Sequence, residues 1–410
     1  MKDNRVFVDV AVIGGGAAGL IASAVAAERG RKTLLIEKND RTGRKILITG
    51  KGRCNVTNNC SSEEMIRAVP VNGKFLYSAF HEFSPADTME LFESLGVRLK
   101  TERGGRVFPE SDKARDIADA LLKNAKRNGV EFLFSPALKI EKKEDFLIYT
   151  DDTVVEAESV IIATGGKSYP LTGSTGDGYA FAETLSHTVN PPRPALIPMV
   201  TKEKDAAKMQ GLSLKNVKLS LIHNDKKKPV YEEIGEMLFT HFGFSGPLVL
   251  TASCYINDEP KNYKVSVDLK PGLNEEKLDL RLLRDFSENI NKSLRNVLPL
   301  LLPAKAIPVV LSRSGLSGEE KVNCISAEDR KKLLKTVKNL SFEIEDLRPI
   351  EEAIITRGGV SVGEIDPKTM QSKFVKGLYF AGEVIDVNAF TGGYNLQIAF
   401  STGVKAGKNA

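Results

Sequence analysis

Cysteine and histidine are scarce in this 410-residue chain, with four of each. No two of Cys54, Cys60, Cys254 and Cys324 form a C-x-x-C pair, and His81, His187, His223 and His241 are scattered. That argues against a structural zinc site, so no metal is expected, and free thiols in a reducing cytoplasm are the default. A large charge excess is also lacking. Lys and Arg number 58 against 53 Asp and Glu, and the resulting +5 neither demands nor excludes an acidic partner such as RNA. Only one long uncharged run occurs, Val10 to Ala27. It is too rich in Gly and Ala for a membrane span, and Asp3 and Asp9 spoil a basic leader. Nothing else could cross a bilayer, so a soluble protein without a membrane partner is expected. A composition of 41% hydrophobic and 27% charged residues argues against long disorder, and the length suits two or three domains.

The stretch Val8 to Glu37 organises the rest. Val8, Val10, Ala11, Val12 and Ile13 read as a buried strand, and Gly14, Gly16 and Gly19 follow in G-x-G-x-x-G spacing. The first glycine allows a tight turn, the second admits a pyrophosphate, and the third lets the next helix, expected over residues 17–29, pack on the strand. A second strand, residues 33–36, ends in Glu37, whose carboxylate suits a ribose 2′-OH and disfavours a 2′-phosphate. A bound dinucleotide is the expectation.

Directly afterwards GRKILITGKGRCNVTN, residues 43–58, is glycine-dense and donor-rich and reads as a loop wrapping the same cofactor. Ser84-Pro85-Ala86-Asp87 predicts a capped helix start, and a second amphipathic helix is expected over residues 115–127. Short strands at 130–134, 138–141, 146–150 and 154–157 suggest a meander, before 159–163 returns as an apolar strand. Gly173 to Gly178 has G-x-x-G-x-G spacing and reads as a turn plus helix start, not a second dinucleotide fingerprint. Prolines 191, 192, 194 and 198 mark a boundary near 195. Beyond it, residues 214–223, 230–234, 237–253 and 263–269 look strand-like. Leu278, Leu282, Phe286 and Ile290, and a Ser326-x-x-Asp329 cap, look helical. Residues 201–230 carry eight lysines against three acids. The tail returns to glycine-rich chemistry, with an apolar strand at 378–381 rejoining the first sheet and Gly392-Gly393 opening a last helix towards an anion. A cofactor gripped from both ends of the chain suggests FAD. Five residues separate Cys54 from Cys60, so the C-x-x-x-x-C dithiol of glutathione-reductase chemistry is missing.

Taken together, residues 43–58, FTHFGFSGP at 239–247, TRGGV at 356–360 and GLYFAGEVIDVNAFTGGYNLQ at 377–397 resemble the BaiN/YhiN-like family of FAD-dependent oxidoreductases over nearly the whole chain. The resemblance implies an α/β fold: a discontinuous glutathione-reductase-like Rossmann FAD domain (1–194 and 349–410) with an inserted β-barrel (195–272 and 341–348) and a helical insertion (273–340). It implies FAD contacts from Gly14, Gly15, Gly16, Ala17, Ala18 and Gly19, with Glu37 and Lys38 at the ribose. Arg44, Lys45, Gly50, Gly52, Arg53, Cys54 and Asn55 would lie around pyrophosphate and ring. Ala163, Thr164, Gly165, Gly382, Glu383, Gly393, Tyr394, Asn395 and Leu396 would complete the site. Family members are connected with uridine reduction in large-subunit ribosomal RNA, with bile-acid reduction and with aminoacetone oxidation.

Three readings follow. The first is a reductase drawing hydride from NAD(P)H as a transient donor and reducing an electron-poor C=C, with rRNA uridine as candidate and the lysine-rich insertion as docking surface. The second is a small-molecule reductase or oxidase, and the third a flavin-bearing nucleic-acid-binding protein without turnover. Candidate proton donors are Cys54, His241 and Tyr394, each with a structural alternative: loop packing, a hydrogen-bonded histidine and a pocket wall. The oligomeric state is not written in these residues.

Overall fold

The computed structural model describes residues 5–410. The chain divides into two compact units, Met1–Ala195 with Ile350–Ala410, and Leu196–Pro349.

The first unit is built on a seven-stranded sheet. Its parallel part runs Glu131–Phe134, Thr33–Glu37, Arg5–Ile13, Val154–Ile162 and Leu378–Phe380. Strands covered on both faces need continuous apolar runs, and Thr33–Glu37 is buried at every position. The expected meander is only half present. Glu131–Phe134 pairs parallel to Thr33–Glu37, while Lys139–Lys142 and Phe146–Tyr149 form a hairpin against Val154–Ile162. The segments expected at 154–157 and 159–163 are one strand, because its first half serves the hairpin while its whole length pairs with Arg5–Ile13.

The first helix, Ala17–Glu28, and the last, Tyr394–Asn409, lie against each other through small residues. A Cβ on Gly403 would sit 2.5 Å from Ile21 Cγ2 and 2.6 Å from the Ala18 carbonyl oxygen, and one on Gly407 would overlap the Ala22 carbonyl. Lys405 and Lys408 grip Glu82, fixing the same helix to Tyr77–Glu82. Ser84 caps Pro85–Ser94 in a reciprocal box with Asp87, as its spacing predicts. Residues 43–58 are not an open loop. Arg44–Ile48 is a helical turn because buried Ile46 gives it an inward anchor.

His187 is enclosed in this unit. Its Nε2 lies 2.8 Å from Ser372 Oγ and its Nδ1 3.3 Å from Glu364 Oε2, with Phe380 edge-on at 4.9 Å. Burial pushes the imidazole below its ordinary 6.5, against the pull of Glu364. The unfolded chain therefore takes up the proton first, and stability falls as pH drops below about 6.5. A calorimetric series from pH 8 to pH 5 is expected to show the gap in melting temperature between wild type and His187→Gln narrowing through that window. A gap independent of pH would contradict it.

The second unit holds a closed barrel: Met199–Thr201, Gly243–Ser245, Tyr231–Phe239, Ser213–His223, Tyr263–Asp268 and Leu340–Leu347. Phe239, Phe244 and Phe342 pack edge to face inside it, with centroids 4.9–6.2 Å apart. The strand expected over 237–253 ends at Phe239. After the short strand Gly243–Ser245, Gly246-Pro247 opens a helix, Pro247–Ser253, since Gly246 takes φ +94° and Pro is at home in a first helical turn. Helices Glu275–Ser287, Leu294–Val297, Ile307–Ser314 and Ala327–Lys338 follow. Leu278, Leu282 and Phe286 are buried, but Ile290 lies beyond the helix and is exposed. Ser326 caps its helix through Asp329. Among the described residues no helix is long and apolar enough to cross a membrane, and no cluster of three His, Cys, Asp or Glu could hold a metal.

Candidate cofactor site

Parallel strands in register bring their carboxyl ends to one edge of the sheet, where α/β folds bind ligands. Ile13 leads there into Gly14, Glu37 into Lys38, Ile162 into Ala163 and Phe380 into Ala381-Gly382. Gly14 takes φ +104°, and a Cβ on it would lie 2.6 Å from the Ala163 carbonyl oxygen. A Cβ on Gly19 would overlap the Gly14 carbonyl oxygen, so the turn can sit on the helix only because both are glycine. At Gly16, by contrast, a Cβ would meet open space. The first helix has no side-chain cap and no acidic residue in its first turn. Its N–H groups at Ala17 and Ala18 therefore face outward as an anion slot.

Glu37 is buried and already engaged. Its Oε2 accepts the Gly15 N–H at 2.7 Å, and its Oε1 accepts Asn39 N at 2.8 Å and Nδ2 at 2.6 Å. It thus shapes the glycine turn while Oε2 keeps lone-pair capacity for a hydroxyl donor. Lys38 bonds Asp177 at 2.6 Å and also Thr175, bringing an acidic group beside the end of the second strand. Arg44 is turned to Asn39 Oδ1 at 2.9 Å. Lys45 lies between Glu383 Oε2 at 2.6 Å and Ser168 Oγ at 2.8 Å.

The segment after the helical turn is bent backwards. Gly50, Lys51, Gly52 and Cys54 have φ of 56°, 58°, 84° and 60°. Arg53 stacks on Phe108 at 4.1 Å and pairs with Glu102 and Asp112. Cys54 is sealed from solvent, and burial pushes its thiol up to about 12. Asn55 Oδ1 and Thr164 Oγ1 are buried without a hydrogen-bond partner. Gly165 turns the chain at φ +76°.

From the other end of the sequence, Gly393 opens the last helix at φ +97°, again with no side-chain cap and no acid in the first turn. A Cβ there would overlap Thr57 backbone. Asn395 spends its amide on Ala389 and Phe390 backbone, fixing the preceding loop, and Leu396 is partly buried beside it. Tyr394 is half-buried, and its phenol is held protonated by burial, with Cys60 and Glu64 adding to the effect. His241 belongs to the barrel unit, where it is exposed with Phe242 edge-on at 5.0 Å.

Two residues escaped the sequence reading. Thr356 Oγ1 accepts the Lys167 and Ser168 N–H groups at 2.7 and 3.1 Å, and its own N–H donates to Glu383 Oε1 at 2.7 Å. Asn58 Nδ2 donates to the Gly104 and Gly392 carbonyls at 2.9 and 3.0 Å. The one signal for Thr356 was a hydroxyl buried in a glycine-rich strand end. Asn58 gave none.

Two uncapped helix N-termini, glycines that leave no room for a Cβ or open onto free space, and two buried unpartnered oxygens fit a long, phosphate-bearing cofactor such as FAD. Comparison with known proteins agrees. The HI0933-like protein Rossmann domain model matches residues 8–409. A 3-dehydro-bile acid delta(4,6)-reductase of Clostridium scindens is 32% identical over 98% of both chains. A ribosomal RNA dihydrouridine synthase of Escherichia coli is 33% identical over 96% of both. Among solved structures, a quinol-fumarate reductase with menaquinol overlays at TM-score 0.50 and 14% identity, covering 99% of this chain and 72% of that one, which speaks for the fold alone. The chain therefore belongs to the HI0933-like family and is an FAD-dependent oxidoreductase.

Proposed function

We propose that the protein is an NAD(P)H-driven reductase of carbon–carbon double bonds conjugated to a carbonyl, with uridine in ribosomal RNA as its substrate. FAD, when bound, supplies the hydride chemistry. The first helix's N–H groups and Gly14 to Gly19 would hold its phosphates, Glu37 and Lys38 its ribose, and Asn55, Thr164, Glu383 and the Gly393 to Leu396 turn the remainder. The two full-length relatives' names share one reaction, saturation of a double bond conjugated to a carbonyl, which requires a proton at the carbon next to the one receiving hydride.

The observation that carries this reading is the place of Tyr394: a phenol half open to solvent on the first turn of the uncapped last helix. A neutral donor there can release its proton to a substrate and recover it from water. Cys54 is sealed and suits packing of the bent loop instead. With no second dinucleotide fingerprint, NAD(P)H and substrate use one site in turn. Steady-state NAD(P)H oxidation against a uridine-containing RNA should give parallel double-reciprocal lines and dihydrouridine by mass spectrometry. Intersecting lines would show a separate nicotinamide site, and reduction of a steroid enone but not of RNA would move the substrate to small molecules.

The lysine-rich stretch is partly neutralised: Lys202, Lys208 and Lys218 pair with Glu343, Asp205 and Glu232. Lys226, Lys227 and Lys228 lie exposed in the turn between Ser213–His223 and Tyr231–Phe239, with no ion pair among the described residues. Each phosphate they engage contributes about −0.7 to the log–log salt slope on single-stranded RNA. Replacing all three by Gln should flatten that slope by about 2 and leave bound FAD unchanged. An unchanged slope would remove this turn as the docking site.

A further inference from the structure

Lys51 takes φ 58° and ψ 41°, between Gly50 at φ 56° and Gly52 at φ 84°. Three successive left-handed residues suit glycine, and an unbranched side chain in the middle is strained. Among the described residues no ion pair or side-chain hydrogen bond of Lys51 offsets the strain, and the side chain is exposed. The carboxylates nearby are already committed. Glu102 and Asp112 hold Arg53, Asp112 also holds Lys100 at 2.8 Å, and Arg106 approaches Glu102 at 3.9 Å. Arg103, exposed at the Glu102–Arg106 turn, likewise has no acidic partner among the described residues. That turn is tied to the proposed proton donor, because Asn58 bridges the Gly104 and Gly392 carbonyls, one residue from Arg103 and two from Tyr394. A costly backbone conformation that displays an unneutralised cation beside a cofactor loop points outward, to a ligand.

We propose that Lys51, with Arg103, is a specificity determinant that meets an anionic oxygen group of the substrate, a phosphate or a carboxylate carried near the double bond that is reduced. This rests on the reductase reading, and its test is independent of turnover. Binding is measured with oxidised holoenzyme and no electron donor, using two probes: single-stranded oligouridylate, and a carboxylate-bearing steroid enone with its neutral methyl ester as control.

Lys51→Gly and Lys51→Gln should each weaken an anionic probe about 3- to 10-fold at low salt, and Lys51→Arg should retain it. The oligouridylate salt slope should lose about 0.7 per cation removed, and about 1.4 in Lys51→Gln/Arg103→Gln. Lys51→Gly should also melt about 1–2 °C higher, since glycine relieves the left-handed strain. A variant that is more stable yet binds less tightly is the signature of strain kept for a ligand. Weakening confined to oligouridylate assigns a phosphate, and weakening confined to the carboxylate but absent with its ester assigns a carboxylate. Wild-type affinity of Lys51→Gly for both probes, whatever its melting temperature, overturns the proposal. Absence of any NAD(P)H-dependent reduction of either probe by the wild-type holoenzyme would instead overturn the reductase reading and leave these binding results standing.

Discussion

Gly19→Ala is expected to fold and to purify colourless. The added methyl would overlap the Gly14 carbonyl oxygen, a backbone atom that no rotamer change can move aside. Relief requires the first helix to slide away from the turn, at about 1–3 kcal/mol for the packing alone. The slide also displaces the N–H groups at Ala17 and Ala18 from the phosphate position, so FAD affinity should fall by at least about 100-fold, or about 2.7 kcal/mol. Gly30→Ala is the matched control. It carries a positive φ of 83° but faces open space, so it should melt lower and stay yellow. Flavin absorbance per mole of protein, with far-ultraviolet circular dichroism to verify folding, separates the two. Wild-type affinity in Gly19→Ala would mean that the turn does not hold the cofactor as proposed.

Tyr394→Phe should divide the catalytic cycle. Only the hydroxyl is removed, so the ring still packs beside Gly392, whose Cβ position lies 2.8 Å from Tyr394 Cε2. Reduction of the bound cofactor by NAD(P)H should keep its rate, while reoxidation by the unsaturated substrate slows about 10²- to 10⁴-fold, the usual worth of a positioned acid. Artificial acceptors that need no proton at carbon should be turned over normally. Stopped-flow measurement of the two half-reactions decides it. Equal slowing of both would indicate a cofactor shifted in its pocket, and no slowing would move the role to Cys54 or His241.

The parts of the architecture legible in the sequence are those with local rules. A strand, three glycines at fixed offsets and a helix announce themselves within thirty residues, and capping boxes at Ser84 and the cap at Ser326 need only four. What could not be read depends on partners far along the chain. Val154–Ile162 was divided because Glu158 interrupts its apolar pattern, yet its full length pairs with Arg5–Ile13. Residues 247–253 are the exception: a short apolar run has no period of its own, but Pro at the first helical position after Gly246 is a local signal that decides for the helix. In the candidate site, the glycines that its tight turns require were legible but the engagement of charges was not. Lys45 bonds a carboxylate 338 positions away, and Arg53 is taken by Glu102 and Asp112. Spacing along a chain carries no trace of such pairings.

The close seat of the last helix on the first has a consequence for the order in which the protein is made. Ala18, Ala22 and Ile21 leave the ribosome early, but the glycines they fit, Gly403 and Gly407, are translated after every other element of the fold. Until then the first helix has that face bare, while the barrel unit between can assemble from contacts within itself. Contacts so distant in sequence form late and slowly. A chain interrupted before Tyr394 would lack the partner of its first helix and leave the face of Ala18, Ile21 and Ala22 uncovered for whatever chaperone reaches it first.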